Sequence, residues 1–339
     1  MNERYSRQIL FPGIGTAGQD RLRDSRVALL GMGALGSSHA EALARAGIGR
    51  LKLVDRDFVE ASNLQRQTLY SESDAEQRLP KSVAAAKRLR EINSEVETEV
   101  VVTDVNSTNI EDIVKDSDLI LDGSDNFLVR YIINDAAVKL GKVWIYGAAV
   151  SGYGATMTIR PGVSPCLACV FEEMPEAGSG PTCDTAGVIQ PIIQTISALQ
   201  VTEALKILTG REDKLHGCLI QTDIWENRWN KISLAAPTPD CRCCVRRDFS
   251  FLIAESAESV ATLCGRDAVQ VRPMRSDGFD LGSFATRLKG IGDVRSNEYL
   301  VRFTADGFEV SVFSDGRAII KGTDDASVAK GIYARYVGT

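Results

Sequence analysis

The sequence has very few histidines, only His39 and His216 among 339 residues. Neither lies in a pattern with a nucleophile and a carboxylate that would predict a catalytic triad. We therefore expect both histidines to be structural or solvated.

Long apolar runs and an excess of basic residues are also missing. No apolar run approaches the ~20 residues needed to span a bilayer. The first residues, 1–5, have no apolar core of the kind that a signal peptide needs. The formal net charge is -6, whereas nucleic-acid binding calls for a basic stripe. We expect a cytoplasmic protein that binds neither membranes nor nucleic acids.

The eight cysteines are too few for a disulfide scaffold in a chain of this length. In a reducing compartment, clustered cysteines indicate a metal site or catalysis instead. The chain is 44% hydrophobic and 25% charged, a balance that is typical of a globular protein.

Short apolar runs alternate with helical segments from Arg26 onward. We expect strands at residues 27–30, 51–54, 100–102, 119–121 and 143–146. This β-α-β alternation predicts a Rossmann-like, doubly wound and mostly parallel sheet of the α/β class. Alternating residues at 153–160 and two runs within 219–234 predict an antiparallel extension. A long helix from about residue 188 to 208 is expected to end at Gly210.

A break in composition near Asp248 predicts two domains, residues 1–247 and 248–339. The second is expected to be a small α+β domain of unknown role. Its predicted strands cover 268–271, 299–303, 308–313 and 318–321, and its predicted helices cover 281–288 and 326–336. Asp306-Gly307 is typical of a tight hairpin turn.

A glycine-rich loop follows the first predicted strand and precedes a helix. It reads Gly31-Met32-Gly33-Ala34-Leu35-Gly36, and glycines at this spacing let the backbone approach a phosphate at a helix N-terminus. Asp55 ends the next strand, where a carboxylate can bind ribose hydroxyls. The loop predicts nucleotide binding without distinguishing NAD from ATP.

Charged residues after the next strands favour ATP over NAD. Arg66 and Lys81 follow the second strand, and Asp122-Gly123-Ser124-Asp125-Asn126 ends the fourth. The carboxyl ends of parallel strands share one edge of the sheet, where ligands bind. Two cations and a carboxylate suit a triphosphate with Mg²⁺, whose displacement needs charge neutralisation.

Two C-x-x-C pairs predict a structural zinc site. Cys166 and Cys169 form one pair, and Cys241 and Cys244 form the other. Four thiolates are the usual ligands of a closed tetrahedral zinc site. Cys243 leaves an ambiguity in the second pair, although Cys241 and Cys244 have the expected spacing.

Cys183 lies between an acidic loop at residues 172–180 and the long predicted helix. A helix N-terminus stabilises a thiolate, and Asp184 or Thr185 is a candidate cap for that helix. The charge of Asp184 opposes thiolate formation. Cys183 is thus either a functional thiol or an exposed spare one.

Taken together, these motifs resemble those of the ThiF/MoeB family of ubiquitin-activating-enzyme-like proteins. The resemblance rests on residues 4–8, the glycine loop, residues 62–67 and residues 122–126, and it covers roughly residues 1–247. It implies an ATP-dependent adenylyltransferase for a sulfur-carrier protein that ends in Gly-Gly, either ThiS-like or MoaD-like, in thiamine or molybdenum cofactor biosynthesis. Carrier carboxylate and ATP would give an acyl-adenylate and pyrophosphate.

The resemblance also implies roles for single residues. Asp55 would hold the ribose, Arg66 and Lys81 the phosphates, and Asp125 the Mg²⁺. Ser62, Asn63 and Asn126 would line the site, and Ala34 replaces a glycine that is frequent in the family. Arg7 matches an arginine that reaches the neighbouring subunit's ATP site, which implies a homodimer. Cys183 matches a cysteine able to link covalently to the carrier.

Two other hypotheses remain open from the sequence. An NAD-dependent oxidoreductase explains the glycine loop and Asp55, but it leaves Arg66, Lys81 and Asp125 without a role. A non-catalytic nucleotide-binding scaffold would keep the zinc site and the nucleotide domain for assembly alone.

Overall fold

The protein forms two compact units, residues Met1–Glu255 and Ser256–Thr339. The structure, a computed structural model, describes residues 3–174, 183–234, 236–253, 260–263, 267–271, 279–288, 290 and 293–338. The division between the units falls a few residues after the boundary predicted at 247.

The first unit contains one large sheet with helices on both sides. Its strands are β1 (Arg26–Leu30), β2 (Arg50–Val54), β3 (Glu97–Val101), β4 (Leu119–Asp122), β5 (Val143–Val150), β6 (Tyr153–Ile159), β7 (Cys218–Asp223) and β8 (Arg228–Ser233). Its helices are α1 (Ser6–Ile9), α2 (Gly15–Asp24), α3 (Ala34–Ala46), α4 (Glu72–Glu76), α5 (Lys81–Ile92), α6 (Ile110–Val114), α7 (Phe127–Leu140), α8 (Leu167–Val170), α9 (Cys183–Ala186), α10 (Gln190–Leu208) and α11 (Ser250–Ile253). Short 3₁₀ turns cover Glu3–Tyr5, Ala61–Asn63 and Glu212–Lys214.

The strand order is β3-β2-β1-β4-β5-β6-β7-β8. Strands β1 to β5 pair in parallel, and β5 to β8 pair antiparallel. The predicted α/β class, with a mostly parallel sheet and an antiparallel extension, is confirmed. The order of the strands reverses between β1 and β4, so a crevice opens at their carboxyl ends.

The apolar runs of the parallel strands are explained by burial on both faces. Val27 and Leu29 of β1 pack in the cluster beneath α3, α5 and α10, whereas Ala28 and Leu30 pack in the cluster beneath α7. Since each face is covered by helices, every residue of the strand interior is apolar.

Helix α10 begins at Gln190, two residues later than predicted. Ile189 before it is extended, and Val188 pairs instead with Ser151 as an isolated bridge. At the other end, Gly210 has a φ of 74°, and its N–H donates to Ile207 O. This left-handed glycine ends the helix as predicted. Among the described residues, no helix combines the length and apolarity that crossing a bilayer requires.

In its described residues, the second unit contains an antiparallel sheet and two helices. Its strands are β9 (Val260–Leu263), β10 (Ala268–Val271), β11 (Val294–Ser296), β12 (Leu300–Ala305), β13 (Phe308–Phe313) and β14 (Ala318–Lys321), in the order β11-β12-β13-β14-β10-β9. Its helices are α12 (Leu281–Arg287) and α13 (Ala326–Tyr336). Phe303 and Val310 pack against Phe284 of α12 and Tyr333 of α13 in one core.

The predicted hairpin between β12 and β13 is confirmed. Asp306 and Gly307 have φ values of 51° and 83°, and Ala305 pairs directly with Phe308. Positive φ at both central residues matches the twist of the flanking strands. Strands β9 and β11 were not predicted, because each is short and separated from its neighbours by polar residues.

Candidate active site

The glycine loop brings three backbone segments into direct contact at the crevice between β1 and β4. A Cβ on Gly31 would lie 2.6 Å from Gly123 O, and one on Gly36 would lie 1.9 Å from Gly31 O. No side chain fits at these positions. The carboxyl end of β1, the start of α3 and the carboxyl end of β4 thus form one bare backbone surface, as a phosphate requires.

Ala34 is the first residue of α3, at a position where a glycine is frequent in similar loops. Its methyl group packs against the apolar cluster that contains Ile192, Ile193 and Ile196. The side chain therefore stabilises the contact between α3 and α10, and the loop accommodates it.

Asp55 fixes the glycine loop from the side of β2. Its Oδ2 accepts a hydrogen bond from Met32 N at 2.6 Å, and its Oδ1 accepts one from Asp57 N at 2.7 Å. Burial raises the pKa of Asp55, and nearby Lys81 opposes this effect. Each carboxylate oxygen has a second lone pair, so ribose hydroxyls can still bind there.

Tyr70 holds the same loop from another direction. Its hydroxyl donates to Met32 O at 2.6 Å, and burial raises its pKa well above the ordinary value. Tyr70 was not predicted as a site residue, because it lies beyond residues 62–67 and its partner is 38 positions away.

Lys81 opens α5 and is almost completely buried, with 4% of its surface exposed. Its Nζ lies 3.4 Å from Asp57 Oδ2, and its backbone N–H donates to Asp57 O. A buried ammonium beside two carboxylates is held in a defined place. This arrangement provides a fixed positive charge near Asp55, the carboxylate that binds Met32 N of the glycine loop.

Ser62 and Asn63 lie in the 3₁₀ turn that follows β2, and Arg66 lies just after it. Asn63 is buried, and its Oδ1 accepts a hydrogen bond from Glu60 N at 3.2 Å. Arg66 is half-buried and donates through Nη1 to Ser62 O at 2.9 Å, while Ser62 is exposed. A guanidinium has five N–H donors, so this bond leaves most of them for phosphate oxygens.

At the end of β4, Asp122 forms a buried pair with Arg130 of α7. Arg130 Nε lies 3.2 Å from Asp122 Oδ2. Arg130 Nη2 also donates to Ser124 O at 2.8 Å and to Gly147 O at 3.2 Å. Burial raises the pKa of Asp122, and Arg130 opposes the increase. The guanidinium thus ties the loop at the end of β4 to Gly147 within β5.

Asp125 and Asn126 lie on the loop that Arg130 holds. Asn126 Oδ1 accepts a hydrogen bond from Leu128 N at 2.8 Å and caps α7. Asp125 is exposed. An exposed carboxylate at the carboxyl edge of the sheet is a suitable oxygen ligand for Mg²⁺.

A buried polar bridge lies beneath the glycine loop. His39 Nε2 lies 2.9 Å from Gln200 Oε1, and Gln200 Nε2 donates to Asp122 O and Ile145 O. Burial lowers the pKa of His39 to about 4, so the ring is neutral at pH 7. The expectation that His39 is structural agrees with this position.

Arg7 is exposed on α1 and makes no hydrogen bond or ion pair with the residues that the structure describes. Within one chain, therefore, the structure does not bring Arg7 together with the other predicted site residues through a direct contact. Its predicted role in a neighbouring subunit stays a prediction.

Cys183 opens the four-residue helix α9 rather than the long helix. Helix α10 begins seven residues later, with Ile189 as its N-cap and no side-chain cap. The predictions that the dipole of the long helix acts on Cys183, and that Asp184 or Thr185 caps this helix, are therefore wrong. Residues 175–182 and the side chain of Cys183 lie outside the described residues.

The two C-x-x-C pairs meet at one point. Sγ–Sγ distances are 3.9 Å for Cys166–Cys169, 3.6 Å for Cys166–Cys241 and 3.4 Å for Cys169–Cys244. All four sulfurs lie within 4.8 Å of one another. Thiolates around a tetrahedral zinc ion, with bonds of about 2.3 Å, are about 3.8 Å apart. The four cysteines therefore fit a zinc ion in both donor type and spacing.

Crowding of the sulfurs also favours a cation. The side-chain hydrogen bond between Cys166 and Cys169 raises the pKa of Cys169 to about 12. For Cys244, burial is the main cause of a pKa of about 12. Four neutral thiols at this distance gain little from one another, whereas a divalent cation stabilises the thiolate form.

Asn134 of α7 holds both halves of this four-cysteine centre. Its Oδ1 accepts a hydrogen bond from Leu167 N at 2.8 Å, and its Nδ2 lies 3.2 Å from Cys243 Sγ. Cys243 is fully buried against this amide and is not one of the four clustered sulfurs. The ambiguity left by the sequence is thus explained by a separate packing role for Cys243.

A buried ion pair fixes the second half of the centre to the same helix. Arg242 donates through Nη1 and Nη2 to the two carboxylate oxygens of Asp135, at 3.0 and 3.1 Å. Its guanidinium also stacks on Phe251 at 4.6 Å from the ring centroid. Helix α7 therefore contacts the candidate nucleotide site at its N-terminal end and the four-cysteine centre further along.

Comparison with known proteins gives consistent results at the levels of sequence and fold. Residues 5–243 match the model of the ThiF family. The sulfur carrier protein ThiS adenylyltransferase of Bacillus subtilis is 45% identical over 340 residues, with both chains fully covered. A sulfur carrier protein adenylyltransferase of Thermus thermophilus is 37% identical over 247 residues, which cover 71% of this chain and 90% of the relative. The crystal structure of E. coli MccB with succinimide has the same fold, with a TM-score of 0.64, 23% identity and coverage of 72% of this chain and 75% of that one.

Proposed function

The chain belongs to the ThiF family, and on this basis we propose that it adenylates the C-terminal carboxylate of a small sulfur-carrier protein. The observation that carries the proposal is the crevice between β1 and β4. Bare backbone at Gly31, Gly36 and Gly123 lines it, and the charge of buried Lys81 acts on Asp55, which accepts a hydrogen bond from Met32 N of the glycine loop. The names of the relatives from Bacillus subtilis and Thermus thermophilus support the same activity.

The roles of the site residues follow from their chemistry. In this proposal Gly31, Gly33, Ala34 and Gly36 hold the phosphates against the start of α3, and Asp55 binds the ribose. Arg66 and Lys81 neutralise the phosphates, and Asp125 binds Mg²⁺. Ser62, Asn63 and Asn126 line the same site. A nicotinamide cofactor would leave the two cations and Asp125 without a function.

The proposed reaction needs no protein nucleophile. A carboxylate oxygen of the carrier attacks the α-phosphorus of ATP, and a new C–O–P linkage forms. The bond from the α-phosphorus to the bridging oxygen breaks, and pyrophosphate leaves with the electron pair. Charge builds up on the leaving group and on the equatorial oxygens, where positive side chains stabilise it. Mg²⁺, when bound, supplies further neutralisation of the phosphates.

We propose a ThiS-like protein as the first carrier to test. The relative from Bacillus subtilis matches this chain over its full length, whereas the relative from Thermus thermophilus matches 71% of it.

The chemistry is assigned to the domain at residues 1–247, because the segment that matches the family lies within it. The domain at residues 248–339 is assigned an accessory role, since it lies outside the segment that matches the family.

Three further assignments complete the proposal. Zn²⁺ bound by Cys166, Cys169, Cys241 and Cys244 would join the segment after β6 to the end of the first domain. Arg7 would enter the ATP site of a second copy of the chain, which makes the functional unit a homodimer. The Cys183 thiolate would attack the carbonyl carbon of the carrier adenylate, so that a thioester C–S bond forms, the acyl C–O bond to the phosphate breaks and AMP leaves.

Carrier-dependent exchange of pyrophosphate into ATP tests the activity. Purified ThiS-like and MoaD-like proteins are supplied separately, and we expect exchange that disappears when the terminal glycine of the carrier is removed. Asp125→Ala should abolish exchange, whereas Gln270→Met in the second unit should not change it. Absence of exchange with both carriers, together with thermal protection by NAD(H) but not by Mg-ATP, would favour the oxidoreductase hypothesis.

A further inference from the structure

The carboxamide of Gln67 is buried beside the candidate nucleotide site without a hydrogen-bond partner. Only 4% of the residue is exposed, and its Oε1 makes no hydrogen bond. Within the part of the chain that the structure describes, its Nε2 has no partner either. A buried polar group without a partner lowers the stability of a folded protein. The N–H groups of Nε2, which donate to nothing in the described protein, are therefore available to a ligand, whereas Oε1 is an acceptor that an anion does not satisfy.

The position of Gln67 shows where a partner would have to be. The residue follows Arg66, and its backbone N–H donates to Asn63 O at 3.0 Å, which continues the turn after β2. Its Nε2 would lie 3.9 Å from a Cβ on Gly33. Gly33 is the N-cap of α3 in the glycine loop. Since glycine has no side chain, the carboxamide lies directly against the backbone that forms the candidate phosphate site.

We propose that Gln67 is a further nucleotide-binding residue, whose carboxamide donates a hydrogen bond to a phosphate oxygen beside Gly33. This inference rests on the proposed function, because it requires a nucleotide in the crevice. A carboxamide is neutral, so it adds direction to the electrostatic attraction of Arg66 and Lys81 without adding charge. No backbone or side chain of the protein competes for the amide in the described structure.

Opposite effects on stability and binding distinguish this role from a structural one. Gln67→Met preserves the length of the side chain and removes the unpaired polar group. If Gln67 serves the ligand, the free protein becomes more stable and nucleotide binding becomes weaker. If the carboxamide serves the fold, the free protein becomes less stable, and the affinity of the correctly folded fraction stays the same.

The experiment combines calorimetric titration with Mg-ATP and thermal unfolding of the free protein. We expect Gln67→Met to raise the dissociation constant about tenfold, the effect of one lost hydrogen bond to a charged group, and to raise the melting temperature. Gln67→Glu should weaken binding further, because its carboxylate repels phosphate oxygens. This second variant keeps the size and polarity of the site if the methionine variant does not fold.

Gln270 of β10 provides a matched control. It is fully buried, and neither of its amide atoms has a partner in the described part of the second unit. It lies outside residues 5–243, the segment that matches the family. Gln270→Met should therefore leave the affinity for Mg-ATP unchanged.

The possible results separate the two proposals. The role of Gln67 would be overturned if Gln67→Met bound Mg-ATP with wild-type affinity, or if Gln270→Met weakened the binding of Mg-ATP equally. Either result would leave the proposed function intact. Failure of the wild-type protein to bind Mg-ATP would overturn both.

Discussion

The guanidinium of Arg130 lies 3.2 Å from the carboxylate of Asp122, and both side chains are buried at the end of β4. Arg130 also holds Ser124 O and Gly147 O, so one side chain fixes the loop that presents Asp125. The guanidinium also lies over the rings of Phe127 and Tyr146, and these contacts restrict its position further. The position of the candidate Mg²⁺ ligand therefore depends on a residue that is itself buried.

Two substitutions of Arg130 should distinguish the effect of its positive charge from the effect of its forked hydrogen-bonding geometry. Arg130→Met leaves the Asp122 carboxylate buried and unpaired, and we expect a loss of about 3–5 kcal/mol in the free energy of unfolding. Arg130→Lys retains the charge but not the forked geometry. We expect it to fold and to need more Mg²⁺ for half-maximal pyrophosphate exchange.

Urea denaturation and Mg²⁺ titrations measure these two effects. Arg45→Met serves as the control, because Arg45 forms an exposed pair with Glu41 on α3 and surface pairs contribute about 0–1 kcal/mol. An Arg130→Lys variant with the wild-type Mg²⁺ dependence would show that the loop does not need the guanidinium.

Metal content tests the four-cysteine centre. We expect purified protein to contain one zinc ion per chain, and Cys244→Ser to lose it together with a large decrease in melting temperature. Cys243→Ser should retain the metal, because Cys243 Sγ contacts Asn134 rather than joining the four clustered sulfurs. Elemental analysis and chelator-induced unfolding provide the measurement. Equal loss of zinc in both variants would place Cys243 among the ligands.

The burial of His39 predicts weaker stability in mild acid. Its pKa is lowered from 6.5 to about 4 in the folded protein, so the unfolded chain binds a proton more readily. The contribution of the neutral, buried His39 ring to the free energy of unfolding is fully present above pH 6.5. It decreases as the pH falls toward 4, by roughly 3 kcal/mol in total.

Urea denaturation at several pH values checks this titration. His39→Gln removes the titrating group, and its unfolding free energy should fall less steeply between pH 6.5 and pH 4. The comparison uses the slope, since the substitution also changes packing. Identical slopes for the variant and the wild-type protein would contradict the assignment of this acid sensitivity to His39.

Subunit mixing tests the proposed homodimer and the role of Arg7. Arg7→Ala and Asp125→Ala should each lack exchange activity, because each site would combine Arg7 from one chain with Asp125 from the other. Mixed dimers contain one site with both residues intact, so mixing the two variants should restore part of the activity. Chromatography with light scattering confirms the dimer. A fully active Arg7→Ala variant, or an active monomer, would contradict the shared site.

Much of the first unit could be predicted from the sequence because burial on both faces leaves continuous apolar strands. Residues 27–30 and 119–121 are such runs, and both lie in parallel strands of the sheet. The glycine loop was also predictable, since its residues are adjacent in the chain. These signals depend on local spacing, which the sequence displays directly.

The supporting contacts could not be predicted, because they join residues far apart in the chain. His39 and Gln200 are 161 positions apart, and Cys243 and Asn134 are 109 positions apart. The same limit affected the helix that begins at Cys183, which is a separate four-residue element because Val188 after it pairs with distant Ser151. His216, by contrast, was expected to be structural or solvated. Its Nδ1 lies 3.7 Å from the buried sulfur of Cys218, which is only two positions away in the chain.

Intact mass spectrometry of the carrier protein tests the central claim most directly. After incubation of a ThiS-like carrier with this protein and Mg-ATP, in the presence of pyrophosphatase, we predict a carrier population that is heavier by one adenylyl group. The adduct should be absent with Asp125→Ala, and absent when the carrier lacks its terminal glycine. A carrier of unchanged mass, with Mg-ATP demonstrably bound to the wild-type protein, would contradict adenylation and favour the non-catalytic scaffold.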